Sequence, residues 1–179
     1  MKTVWSMWWK KSWQKSCLWL GLLLTLPAMA GDLPDGFDGL RWLAPAAQLP
    51  NAQKLSETPF YQCFRSGDGT GTLGGAAVSN KRFCFAGDRF YFAQLEFSGQ
   101  QAHEQLLAHA RSLWGQGRAS SRLTDTTLWG GQDEAVYVEL EYSQNDQRGT
   151  LAMVYLPVYR ETEEASRQQR ARSRPGAGF

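Results

Sequence analysis

Side chains able to do chemistry are few in this chain, and their spacing limits what that chemistry could be. There are two histidines, His103 and His109. Both fall in a segment with helical periodicity. Six residues apart, they sit about 240° apart around a helix of 3.6 residues per turn, so they cannot share a face. A zinc-protease helix spaces its two histidines by four. Ser/His/Asp or Cys/His catalysis needs a His beside its nucleophile, which this pattern does not offer. Both are expected as solvent-exposed helix residues. Cys63 and Cys84 lack the paired spacing of a structural zinc site. Gly69, Gly71 and Gly74 match G-x-G-x-x-G, but strand-like sequence follows them where a dinucleotide site requires a helix. A hairpin loop is expected there. Glu96, Glu139 and Glu141 are expected on one sheet face. Glycoside hydrolysis would need two of them in a cleft with one pKa raised, and a solvated face is the simpler expectation. No catalytic, cofactor-binding or metal-binding residue is assigned, and the protein is not expected to be an enzyme.

The elements that would carry these residues can be read from periodicity. Residues 36–42 suit a short edge strand, and Pro45 suits the first turn of a short helix over 45–49. Residues 60–65, 76–78, 81–86 and 89–97 read as strands, with a Gly-rich stretch over 67–75. In 89–97, Tyr91, Ala93, Leu95 and Phe97 alternate with Gln94 and Glu96, as a half-buried strand requires. A helix follows, opened by a Ser98/Gln101 capping box. Its apolar stripe is Ala102, Leu106, Ala110, Leu113 and Trp114, and Gly115 and Gly117 end it. Residues 124–129, 134–142 and 150–159 read as three more strands, the last apolar on both faces and so covered on both. The order strand meander, helix, strand meander predicts an α+β fold: an antiparallel sheet with one main amphipathic helix packed on a face.

The ends of the chain carry a different message. Residues 1–30 hold four lysines, an apolar run from Leu18 to Leu26, Pro27, and Ala28-Met29-Ala30. That is the pattern of a cleaved signal peptide, with cleavage after Ala30. The run is shorter than the roughly 20 residues that cross a membrane. An exported, periplasmic protein is expected, not membrane-spanning once mature. Without the four leader lysines, 15 Lys and Arg face 17 Asp and Glu, a net charge of −2. That balance excludes the basic footprint of a nucleic-acid binder. The remaining 149 residues suit a single domain over 31–159. Residues 160–179 hold Arg160, Arg167, Arg170, Arg172 and Arg174 with Glu161, Glu163 and Glu164, and almost no apolar residues. A disordered or partly helical Arg/Glu-rich tail is expected, which could touch an anionic surface if its glutamates allowed.

Two cysteines in an oxidising compartment, on strands that could pair, suggest a Cys63–Cys84 disulfide; two buried free thiols are the alternative. Phe83, Phe85, Phe90, Tyr91, Phe92 and Phe97 put rings on both faces of two adjacent strands. Either one face stays open as an interface, with Phe90, Tyr91, Phe92 and Tyr137 as its candidates, or Phe37, Leu40, Trp42 and Leu43 cover it.

The stretches FAGDRFYFAQLEFSG (85–99), WGQG (114–117), LWGG (128–131) and YVELEYSQNDQRGTLAMVYLP (137–157) together resemble a group of small exported bacterial α+β proteins of uncharacterised function. The resemblance spans roughly residues 36–158 and implies the same order of elements, with no catalytic residues to transfer. Three function classes follow. The first is a non-catalytic binding module for another envelope protein. The second is a carrier of a small apolar or lipid-like ligand held between helix and sheet. A hydrolase with an unrecognised site ranks last.

Overall fold

The computed structural model describes residues 32–120, 125–131 and 133–173. The signal peptide expected over 1–30 and the last residues of the tail, 174–179, lie outside them. The chain opens with a small hairpin, β1 (Gly36–Phe37) and β2 (Leu40–Arg41), and a 3-10 turn at Ala46–Gln48. Five strands follow: β3 (Ala52–Glu57), β4 (Gln62–Ser66), β5 (Gly71–Leu73), β6 (Ala76–Ala86) and β7 (Arg89–Ser98). Helix α1 (Gln100–Trp114) leads to β8 (Arg118–Ala119), β9 (Asp125–Trp129), β10 (Val136–Ser143) and β11 (Arg148–Tyr155), and α2 (Leu156–Ser173) ends the fold.

All strand pairs are antiparallel, in the order β3-β4-β6-β7-β11-β10-β9-β8, with β5 paired to the first half of β6. Helix α1 carries the chain from β7, in the middle, out to β8 at the far edge. The second meander then returns strand by strand until β11 closes against β7. The fold is α+β, as the sequence indicated.

One sheet face holds the main core. Ala93, Leu95 and Phe97 of β7, Leu151 and Met153 of β11, and Val138 and Leu140 of β10 are buried there against Ala102, Leu106 and Ala110 of α1. The N-terminal segment covers the other half of this same face. Trp42 stacks on Phe90 (centroids 4.8 Å apart) and on Tyr155 (6.2 Å), and its Nε1 donates to the Pro34 carbonyl. The opposite face is covered at one end by α2, whose Val158 packs with Cys63, Cys84, Ala86 and Tyr91.

Two bulges set which side chains face where. The β6–β7 register shifts between Cys84 and Phe85, so Tyr91 is an extra residue between the Phe90 and Phe92 pairings. Tyr91 therefore leaves the face of Ala93, Leu95 and Phe97 and joins Phe92 beside the disulfide, which corrects simple alternation. A second shift lies between Ser79 and Arg82, where Asn80 is left-handed (φ 50°). Val78 and Phe83, an odd number of residues apart, thereby both reach the helix-side core.

Other expectations are corrected at element ends. The Ser98/Gln101 capping box does not form. Ser98 is spent in the ladder opposite Arg148, and left-handed Gly99 (φ 89°) makes the strand-to-helix turn instead. The strand expected to Tyr159 stops at Tyr155, because Leu156 and Pro157 open α2; Pro is suited to a first turn. Residues 160–173, expected within a disordered or partly helical tail, are helical. Val158 anchors the first turn, and Arg89 of β7 reaches Glu161 at 2.6 Å.

Candidate functional site

The structure separates the residues singled out from sequence. Cys63 and Cys84 are direct cross-strand partners on β4 and β6 and form a disulfide. Phe90 is completely buried beneath Trp42. Tyr91 is buried beside the disulfide, and that burial raises its phenol above the usual range. Phe92 and Tyr137 are half-buried. Burial raises the Tyr137 phenol too, with the Glu139 carboxylate, 3.3 Å from its hydroxyl, acting in the same direction. Of the four aromatics, Phe90 and Tyr91 are withdrawn from the surface, and Phe92 and Tyr137 keep part of theirs.

The helix histidines are not solvent-exposed. The two flank the buried stripe of α1. His103 is buried in a stack, 4.7 Å from Tyr142 and 6.2 Å from Phe97 between ring centroids. Burial lowers its pKa below the usual imidazole value, against the pull of Asp125 and Glu104 and with the push of Arg111. Its Nε2 and the Tyr142 hydroxyl have no hydrogen-bond partner among the described residues. His109 is half-buried against the β5–β6 turn, where a β-carbon on left-handed Gly74 would fall 2.4 Å from the His109 Cβ. The Gly-rich stretch is thus a β-hairpin closed onto the helix.

Glu96, Glu139 and Glu141 do share a sheet face, the one opposite α1. Glu96 and Glu141 both lie opposite Thr150, one on each side of β11. Two strand spacings place their backbones about 9.6 Å apart, just beyond the roughly 6.5–9.5 Å that separates the carboxyl groups of inverting glycosidases. Both carboxylates are exposed, above an open polar recess that includes Asn80, Asp146 and Arg148. Asn80 donates to Glu96 at 2.7 Å. This face offers no apolar enclosure for either acid.

A different place gathers apolar and charged groups together. The N-terminal cover and α1 share one face of the sheet without meeting completely, leaving a recess of about 290 Å³ at their seam. Its floor is Leu95 of β7 and Met153 of β11. Phe37 of the β1–β2 hairpin forms one wall, Leu73 and Val78 of the β5–β6 hairpin another, and Leu113 and Trp114 of α1 a third. Leu113 belongs to the apolar stripe of α1 yet is 48% exposed, because the stripe runs out over the mouth of the recess. Trp114 is held edge-on to Trp129, whose Nε1 donates to the Gly115 carbonyl at the helix end. Two charged side chains, Asp38 and Lys81, reach the recess, with His109 beside them. Lys81 donates to Asp38 at 2.8 Å.

No family model, curated protein or solved structure matches the chain.

The seam therefore stands on its own geometry. Apolar walls drawn from four elements and a few convergent polar groups are the makeup of a small-molecule site. The described residues contain no group of three or more acidic, His or Cys side chains placed to hold a metal. No helix among them is long and apolar enough to cross a membrane. The seam was not legible in the sequence, because its walls and floor come from residues as far apart as Phe37 and Met153. Exposed Leu113, at the end of an otherwise buried stripe, is its one local trace.

Proposed function

We propose that this is an exported binding protein that carries a small, mostly apolar molecule in the seam between α1 and the N-terminal cover. The recess over Leu95 and Met153 is the observation that carries this reading. At roughly 30 Å³ for each water-sized group, it suits a ligand of on the order of ten non-hydrogen atoms. Export is supported by the leader-like sequence of residues 1–30 and by the Cys63–Cys84 disulfide, a bond that persists in oxidising compartments. Native mass spectrometry of the protein purified from the periplasm tests both parts. The expected species starts at Gly31 and carries a discrete small adduct. A chain that stays bare and also takes up no added alkanol or alkanoate would remove the carrier reading.

A second reading, a docking module for an envelope protein, is favoured by one observation. All six residues of β3 are exposed, and its outer edge pairs with no described strand. Such an edge is a template for strand addition. Lys54 and a bulge at Leu55, however, are devices that blunt edges. If crosslinking in intact cells traps a partner at β3 while the seam stays empty, this reading replaces the first.

A further inference from the structure

We propose that the molecule held in the seam carries one carboxylate, which Lys81 receives in place of Asp38. This rests on the seam being the binding site. Lys81 reaches the seam because of the bulge at Asn80; regular alternation along β6 would have put Val78 and Arg82 on the helix side and Lys81 on the opposite face. The bulge instead turns an ammonium toward the recess, and the Lys81 side chain is only 15% exposed. An ammonium has three donors, and Asp38 is the one acceptor described for it.

Asp38 is a partner that can leave at low cost. It sits at the turn of a hairpin whose strands are two residues each. Its side chain is 46% exposed, so its carboxylate has water at hand when released. A ligand carboxylate taking its place keeps Lys81 paired, and the ligand's apolar part then fills the space over Leu95, Val78 and Met153. A neutral ligand would gain the apolar contacts only. A cation would face Lys81 with Asp38 already engaged. The chemical class is a short- to medium-chain alkyl or aryl carboxylate.

Calorimetric titration of the purified protein with octanoate and with 1-octanol, near pH 7.5, tests this. Wild type is expected to bind octanoate at least tenfold more tightly than 1-octanol. Lys81→Met, which keeps most of the apolar stem, is expected to lose that preference and bind octanoate no more tightly than 1-octanol. Asp38→Asn is expected to tighten octanoate binding severalfold, since Lys81 is then free for the ligand. Equal binding of the two ligands by wild type, or an octanoate preference that survives in Lys81→Met, would overturn the carboxylate assignment and leave the seam as an apolar site. Binding of neither ligand to any of the three proteins would overturn the seam reading itself.

Discussion

Single residues in this protein carry costs that a ring count does not show. His103 is enclosed by Phe97 and Tyr142, and burial lowers its pKa below the usual 6.5. The unfolded chain therefore takes up a proton more readily than the folded one. Stability is fully present above about pH 6.5 and is lost as pH falls below it. The melting temperature is expected to drop between pH 7 and pH 5 by more in wild type than in His103→Leu. Thermal melts of the two proteins across that range check it; parallel profiles would show that His103 titrates alike in the folded and unfolded chain. The same substitution removes a buried nitrogen without a described partner, so His103→Leu is expected to be at least as stable as wild type at pH 7.5.

Elements divide into those with a local signature and those positioned from afar. Strands β7 and β10 and helix α1 were legible, because each buries one face and so alternates or repeats in sequence. Strand β3 was not: exposed on both sides, Ala-Gln-Lys-Leu-Ser-Glu has no pattern to read. Strand β5 hides among glycines. The bulges at Asn80 and Tyr91 were invisible to a strict two-residue period, and they decide the placement of Lys81 and Tyr91. The tail helix was legible only as an alternative to disorder, because its apolar anchor, Val158, lies in the first turn and the rest is mostly Arg, Glu and Gln. At this scale Trp42 is the pin of the N-terminal cover, through its stacks and its bond to Pro34. Trp42→Ala is expected to cost about 3 kcal/mol, the low end for a buried ring because Trp42 is only half-buried. Urea denaturation measures it; a loss under 1 kcal/mol would mean that the cover is held by other contacts.

The whole molecule is one sheet wrapped unequally. The helix-side face has two covers, α1 and the N-terminal segment, and the opposite face has one, α2 over the disulfide. The remainder of that opposite face is open and bears Glu96 and Glu141. The Cys63–Cys84 bond ties β4 to β6 and closes a loop with a sequence separation of 21. Its removal is expected to cost roughly 3 kcal/mol by the chain-entropy account. Comparing urea midpoints of wild type and the Cys63→Ala/Cys84→Ala double variant checks this, with equal midpoints as the contrary outcome. The seam exists because two covers share one face and meet incompletely, so its use as a binding site is a property of the whole fold. The most direct test follows methyl NMR resonances while octanoate is added. The methyls of Leu95, Met153 and Leu113 are expected to shift saturably, while those of Val138 and Leu140, outside the recess in the same core, stay fixed. Fixed resonances at Leu95 and Met153, or equal shifts throughout the core, would contradict the account.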